Sequence, residues 1–133
     1  MRDVLFRGKM LSNGEWVCGS LVKMGPAGFM HYFILPDYAS AFYSIEVDPS
    51  TVGQYTGLTD KNGVKIFDGD RVRVPMYKSG LRNPILMDGT VELLNGAFSV
   101  RWDDKEYGRH FLGYLDEIEV IFNIHDNPEL IAR

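Results

Sequence analysis

Residues 60–70, DKNGVKIFDGD, set Asp, Asn and Gly between two short apolar runs. Either these polar side chains perform chemistry or they turn the backbone. Asn62-Gly63 supplies the positive φ that tight hairpins demand, and Asp60 is placed to accept backbone N–H groups in an Asx turn. QYTGL before it and VKIF after it therefore read as two strands of a hairpin. Asp68-Gly69-Asp70 then reverses the chain a second time, which weighs that carboxylate pair toward turn-making and away from acid–base catalysis or cation binding. Beyond it, RVRVP alternates, with Val72 and Val74 directed to a core and Arg71 and Arg73 displayed on the opposite side.

Working outward, the same grammar repeats. Toward the amino end, DVLFRGKML and WVCGSLVKM flank the turn SNGE as a first hairpin, with Trp16, Cys18 and Ser20 on one face and Val17, Gly19 and Leu21 on the other. GPAG breaks the chain, and the aromatic and β-branched runs FMHYFILP and AFYSIEV read as strands separated by PDYAS. DPSTVG is a turn with room for one helical turn after Pro49. Toward the carboxyl end, MYKSGLRNP is a loop, GTVELL and AFSVRW are strands about an Asn-Gly turn, and DDKEYG is a polar loop. EIEVIF is a half-buried strand with Ile118, Val120 and Phe122 alternating against Glu117, Glu119 and Ile121. Asn127, Pro128 and Glu129 have the order of an N-cap, a first helical position and a first-turn acid, which predicts a short terminal helix. The fold class is mainly β, a β-rich α+β chain forming a small barrel or sandwich. A boundary falls near Gly53 to Thr59, giving a β-rich region 1–53 and a barrel region 54–133 that share a core in one compact unit.

Totals narrow the function. A chain of 133 residues, 45% apolar, holds one modest core or two small ones. The single Cys18 removes disulfide scaffolds and Cys-rich zinc sites, and fits a reducing compartment. No apolar stretch approaches the roughly 20 residues needed to span a bilayer, and MRDVLFRGK carries charges where a signal peptide would be apolar, so a cytoplasmic setting is expected. Net charge is −4, yet Lys61, Lys65, Arg71, Arg73, Lys78 and Arg82 face only Asp68 and Asp70 between positions 61 and 82, a local +4. From Asp103 to Glu129 the balance reverses. Such asymmetry steers a polyanion or a second copy of the chain, or is solvated surface.

Chemistry-bearing patterns are sparse. His31, His110 and His125 lack ligand spacing with one another or with Cys18, so no metal or cofactor is expected. No serine sits in a G-x-S-x-G elbow, and GPAG has neither the Lys-Ser/Thr ending of a P-loop nor dinucleotide-site spacing. The remaining candidate is the outward side of RVRV with the loop after it: Arg71, Arg73, Lys78 and Arg82 could meet phosphates while Tyr77 stacks on a base or peptide. The competing reading has Met76, Tyr77 and Leu81 capping the barrel or entering a subunit contact, with the cations in water. It is preferred, since the chain lacks a positive field. The expected role is thus a non-enzymatic module that self-associates or binds a protein, with nucleic-acid binding through residues 61–82 as the alternative.

Three stretches, GEWVCGSL at 14–21, VDPSTVGQYTGLTDKNGVKIFDGDRV at 47–72 and VIFNIHDNPELI at 120–131, resemble in their order the motifs of the YopX family of small phage and prophage proteins. The resemblance spans the chain. It implies a phage or prophage origin, a cytoplasmic host setting, and an N-terminal β region with an SH3-like small barrel behind it. It implies no catalytic residue. Phe122 departs from the small residue, such as Gly, expected there, which bears on local packing.

Overall fold

A computed structural model describes residues 5–36 and 43–126, and the chain divides into two compact units, Met1–Tyr55 and Thr56–Arg133. In the first unit the Asn-Gly turn acts as its chemistry demands. Gly14 takes φ 73°, and the Asn13 side chain accepts the Glu15 N–H at 2.9 Å. This closes β1 (Phe6–Lys9) antiparallel on β2 (Trp16–Met24), with Lys9 opposite Trp16. Alternation along β2 buries Val17 and Gly19 and exposes Cys18 and Ser20. β3 (His31–Pro36) pairs with β2, and β4 (Ile45–Val47) with β3. Val17, Ile34 and Val47 form the core, packed by Phe6, Met10, Leu21, Tyr32, Ile45 and Val52. At Gly19 a Cβ would stand 2.1 Å from the Leu35 carbonyl oxygen, so only a hydrogen lets the strands close. Asp48 accepts the Ser50 N–H and caps a single 3-10 turn, Pro49–Thr51. The first residues of β5 (Gly53–Thr59) then return beside β1.

The second unit starts within β5, against which β6 (Lys65–Phe67) lies. A five-stranded antiparallel sheet follows, built from β7 (Asp70–Met76), β8 (Ile85–Leu94), β9 (Ala97–Trp102), β10 (Arg109–Phe111) and β11 (Glu119–Asn123). Its order is β10-β9-β8-β7-β11. Asn95 and Gly96 take φ of 52° and 83°, the pair of positive angles a two-residue hairpin turn requires. Ile66, Val72, Val74, Met87, Val91, Val100, Trp102, Leu112 and Ile118 fill the core. Each such burial contributes about 1.5–3 kcal/mol relative to an exposed side chain.

The architecture is mainly β, and three details differ from the sequence reading. β8 begins at Ile85, earlier than GTVELL, because Ile85 and Leu86 pair with Met76 and Pro75. The sheet does not close into a barrel among the described residues. β10 runs three residues before the 3-10 turn Leu112–Tyr114 takes over, and so forms no second ladder. The simple alternation along 118–122 is also overturned: the register shifts between Val120, opposite Val72, and Phe122, opposite Arg71. Ile121 is the extra residue of a β-bulge, and it sends Phe122 to the arginine side of the sheet. Helical structure among the described residues is confined to 3-10 turns, none long or apolar enough to cross a membrane. The helix expected from Asn127 lies outside the described residues.

Candidate binding surface

The central reversals are made by their carboxylates. Asp60 is buried, and its Oδ1 accepts the N–H groups of Asn62 at 2.8 Å and Val64 at 2.9 Å. Its Oδ2 accepts the Val120 N–H at 2.9 Å, so one side chain forms the β5–β6 turn and ties it to β11. Burial disfavours the charge, but the three backbone donors outweigh it and hold the Asp60 carboxyl below its ordinary value. Asp70, also buried, accepts the Phe67 N–H at 2.8 Å across the turn in which Gly69 takes φ 92°.

β7 lies between β8 and β11, and residues opposite one another across a ladder share a face. Arg71 stands opposite Thr90 and Phe122, and Arg73 opposite Asp88 and Glu119. The expectation that both arginines are displayed fails at Arg71, which is 4% exposed. Its two terminal nitrogens donate to the two Asp103 oxygens, one at 2.6 Å, and one of them also donates to Thr90 Oγ1 at 3.1 Å. The Phe122 ring covers the guanidinium at 5.9 Å, which accounts for a large residue at the bulge. Arg73, partly exposed, is gripped by Asp88 through Nε at 2.8 Å and a terminal nitrogen at 3.1 Å. These carboxylate bonds raise the pKa of both arginines above the ordinary value. Farther along the face, Glu92 accepts from Arg109 at 2.8 Å and Arg101 at 3.1 Å. Partial burial works against the Glu92 charge, yet the two arginines hold its carboxyl below the ordinary value.

Of the other candidates, Tyr77 is 70% exposed and donates its hydroxyl to Glu117 at 2.8 Å, which raises its pKa. Lys78 donates to the Tyr107 hydroxyl at 2.8 Å. Arg82 is exposed on the loop and makes no ion pair among the described residues. The structure thus distributes the five candidates between a neutralised ladder and a loop instead of gathering them around one space.

What converges beside them is apolar surface between charges. Pro75, Tyr77, Pro84 and Leu86 line a groove of about 500 Å³ together with Lys61, Arg73, Glu117 and Glu119, and Leu86 also belongs to a neighbouring groove of about 300 Å³ with Ile85, Tyr107 and the carboxylates Asp88, Asp103 and Asp104. Leu86 is 61% exposed, with Leu81, Ile85 and Tyr107 also uncovered. Sequence reasoning missed Ile85, Leu86 and Tyr107. The signal was Pro75 in RVRVP: it stands opposite Leu86 and replaces a third arginine-like position with an apolar one.

The histidines are occupied singly. His31 meets Glu46 at 2.6 Å, His110 accepts from Trp102 Nε1 at 2.6 Å, and His125 lies at the Gly69 turn. The groove beside His110, with Leu94, Ala97 and Phe111 in its lining, has no carboxylate in it among the described residues. Among the described residues no group of three or more His, Cys, Asp or Glu side chains could hold a metal ion.

A family model described as YopX protein matches residues 5–132. The chain is similar in fold to the crystal structure of protein EF1440 from Enterococcus faecalis, at 24% identity and a TM-score of 0.52, with 98% of this chain and 99% of that chain covered. It is likewise similar to the X-ray crystal structure of protein yopX from Bacillus subtilis, at 17% identity and a TM-score of 0.54, covering 100% of this chain and 98% of that one. No curated protein matches. With a family model spanning nearly its whole length, the chain belongs to the YopX family.

Proposed function

We propose that this chain is a non-enzymatic phage or prophage accessory protein, a cytoplasmic β module that works by holding another protein, foremost a second copy of itself. One observation carries the reading: Leu86, at 61% exposure, lines both grooves, beside Tyr77 and Pro84 in one and Ile85 and Tyr107 in the other. Apolar surface concentrated between charged rims is the anatomy of a contact between proteins. The second unit is read as SH3-like: β7 to β10 form a meander, a 3-10 turn follows, and β11 returns to pair with β7. The nucleic-acid alternative is weaker, because Arg71 and Arg73, two of the four candidate cations, already hold Asp103 and Asp88.

Light scattering from micromolar to millimolar protein tests the reading. The wild-type mass is expected to climb above the 15.1 kDa of one chain, and Leu86→Asp to stay at that value. A wild-type mass fixed at one chain throughout, together with a mobility shift of labelled duplex at low salt, would favour the alternative.

A further inference from the structure

On β9 and β10 two arginines, Arg101 and Arg109, stand directly opposite each other. Like charges across a ladder repel, and this pair has one carboxylate to share. Glu92 accepts from Arg101 Nε at 3.1 Å and from one terminal nitrogen of Arg109 at 2.8 Å, and that nitrogen also donates to Ser99 Oγ at 3.1 Å. Both terminal nitrogens of Arg101, and the Nε and second terminal nitrogen of Arg109, have no acceptor among the described residues. Lys105 joins the two arginines in lining a groove of about 370 Å³, whose one acid, Asp103, is already held by Arg71. Of the other acids nearby, Asp104 accepts the Glu106 N–H at 3.0 Å and lines the groove of Leu86, while Glu106 lines neither. The same side of the sheet carries an aromatic pair. Phe111 lies two residues beyond Arg109 on β10 and so projects to the same face. It is 57% exposed and meets the ring of Tyr114, 82% exposed, edge to face at 5.9 Å. Arg109 also lines the groove of about 350 Å³ formed with Asn95, Ser99, His110 and Phe111, in which every polar side chain is able to donate a hydrogen bond. His110 donates through Nε2, because its Nδ1 accepts from Trp102 Nε1, a group that only donates.

We infer that this strip of β9 and β10 binds single-stranded nucleic acid, with backbone phosphate on Arg101, Arg109 and Lys105 and an adjoining base against Phe111 and Tyr114. Guanidinium forks with unused donors grip phosphate oxygens, and exposed aromatic rings stack on a base whatever its identity. A duplex keeps its base faces inside its own stack, so the aromatic pair selects the single strand. The strip is separate from residues 61–82, where Arg71 and Arg73 are taken by carboxylates, and it requires no second copy of the chain. At a net charge of −4 the whole chain supplies no attractive field for a polyanion, so the contact is local, of modest affinity and sensitive to salt.

Fluorescence anisotropy of a labelled oligothymidylate, titrated with the wild-type chain at low and rising salt, tests the inference. Three phosphate-binding cations predict a slope of log affinity against log salt of about −2, and Arg101→Gln with Lys105→Gln should bring it to about −0.7. Phe111→Ser should weaken binding about tenfold without changing that slope, the loss of one stacked base. Circular dichroism checks that each variant is folded, and Tyr114→Ser, with the same expected direction, replaces Phe111→Ser if it is not. A duplex of the same length should bind more weakly than the single strand. No anisotropy change at low salt overturns the inference, as does equal binding by the wild type and the Arg101→Gln, Lys105→Gln variant. Duplex binding as tight as single-strand binding removes the stacking role. Displacement of the oligomer by inorganic phosphate at the same concentration of phosphate groups overturns the strand as ligand in favour of a small anion.

Discussion

Asp60 and Arg71 are both buried charges, and they differ in how far their partners lie along the chain. Asp60 takes two of its three N–H donors from within four residues, so its role is visible in DKNG itself. Asp60→Asn should cost about 1–3 kcal/mol at neutral pH, because its amide group must face a backbone donor. Since the Asp60 carboxyl lies below its ordinary value in the folded chain, its stabilisation is complete above the unfolded value and is lost as pH falls through the folded one. The urea midpoints of wild type and variant should therefore draw together below about pH 4. Arg71 finds Asp103 32 residues away, and nothing in RVRV announces it. The two ends of that pair should respond unequally. Asp103→Ala strands a buried guanidinium and should cost about 3–5 kcal/mol. Arg71→Met frees a carboxylate whose side chain is already 48% exposed and should cost nearer about 1 kcal/mol. Urea denaturation of the two variants and the double variant measures the difference.

Among the elements, hairpins were legible and ladders were not. Asn13-Gly14, Asn62-Gly63 and Asn95-Gly96 each mark a reversal through local backbone chemistry, and each stands at one. The bulge at Ile121 is set by which residues of β7 it must meet, so the apparent alternation of Ile118, Val120 and Phe122 misassigned Phe122. The early start of β8 has the same origin, since Ile85 and Leu86 become strand only through Met76 and Pro75. Gly19 tests how tightly the first sheet is closed. Gly19→Ala brings a methyl against the Leu35 carbonyl, and because that neighbour is backbone, the strands must separate. The variant should lose at least about 1–3 kcal/mol, the usual cost of overpacking, and its thermal midpoint should fall accordingly. An unchanged midpoint would show that β2 and β3 are less closely apposed there.

At the scale of the molecule, the blocks of charge in the sequence are not blocks in the fold. Two of the cations between 61 and 82 meet anions from later in the chain, Arg71 with Asp103 and Arg73 with Asp88, and the neutral Tyr77 hydroxyl donates to Glu117. Composition recorded the asymmetry but not the pairing of Arg71 and Arg73, because that depends on which later residues folding sets beside β7. The candidate surface was legible only in part for the same reason. Tyr77 was named from the sequence, while Leu86 and Tyr107 joined it through strand pairing and the polar loop before β10. Folding leaves Leu81, Ile85, Leu86 and Tyr107 uncovered, and the proposed association runs through them. Sedimentation velocity of the wild-type chain from micromolar to millimolar concentration tests this most directly. The expected result is a weight-average mass that rises with concentration through multiples of 15.1 kDa. A single boundary at 15.1 kDa over the whole range would contradict it.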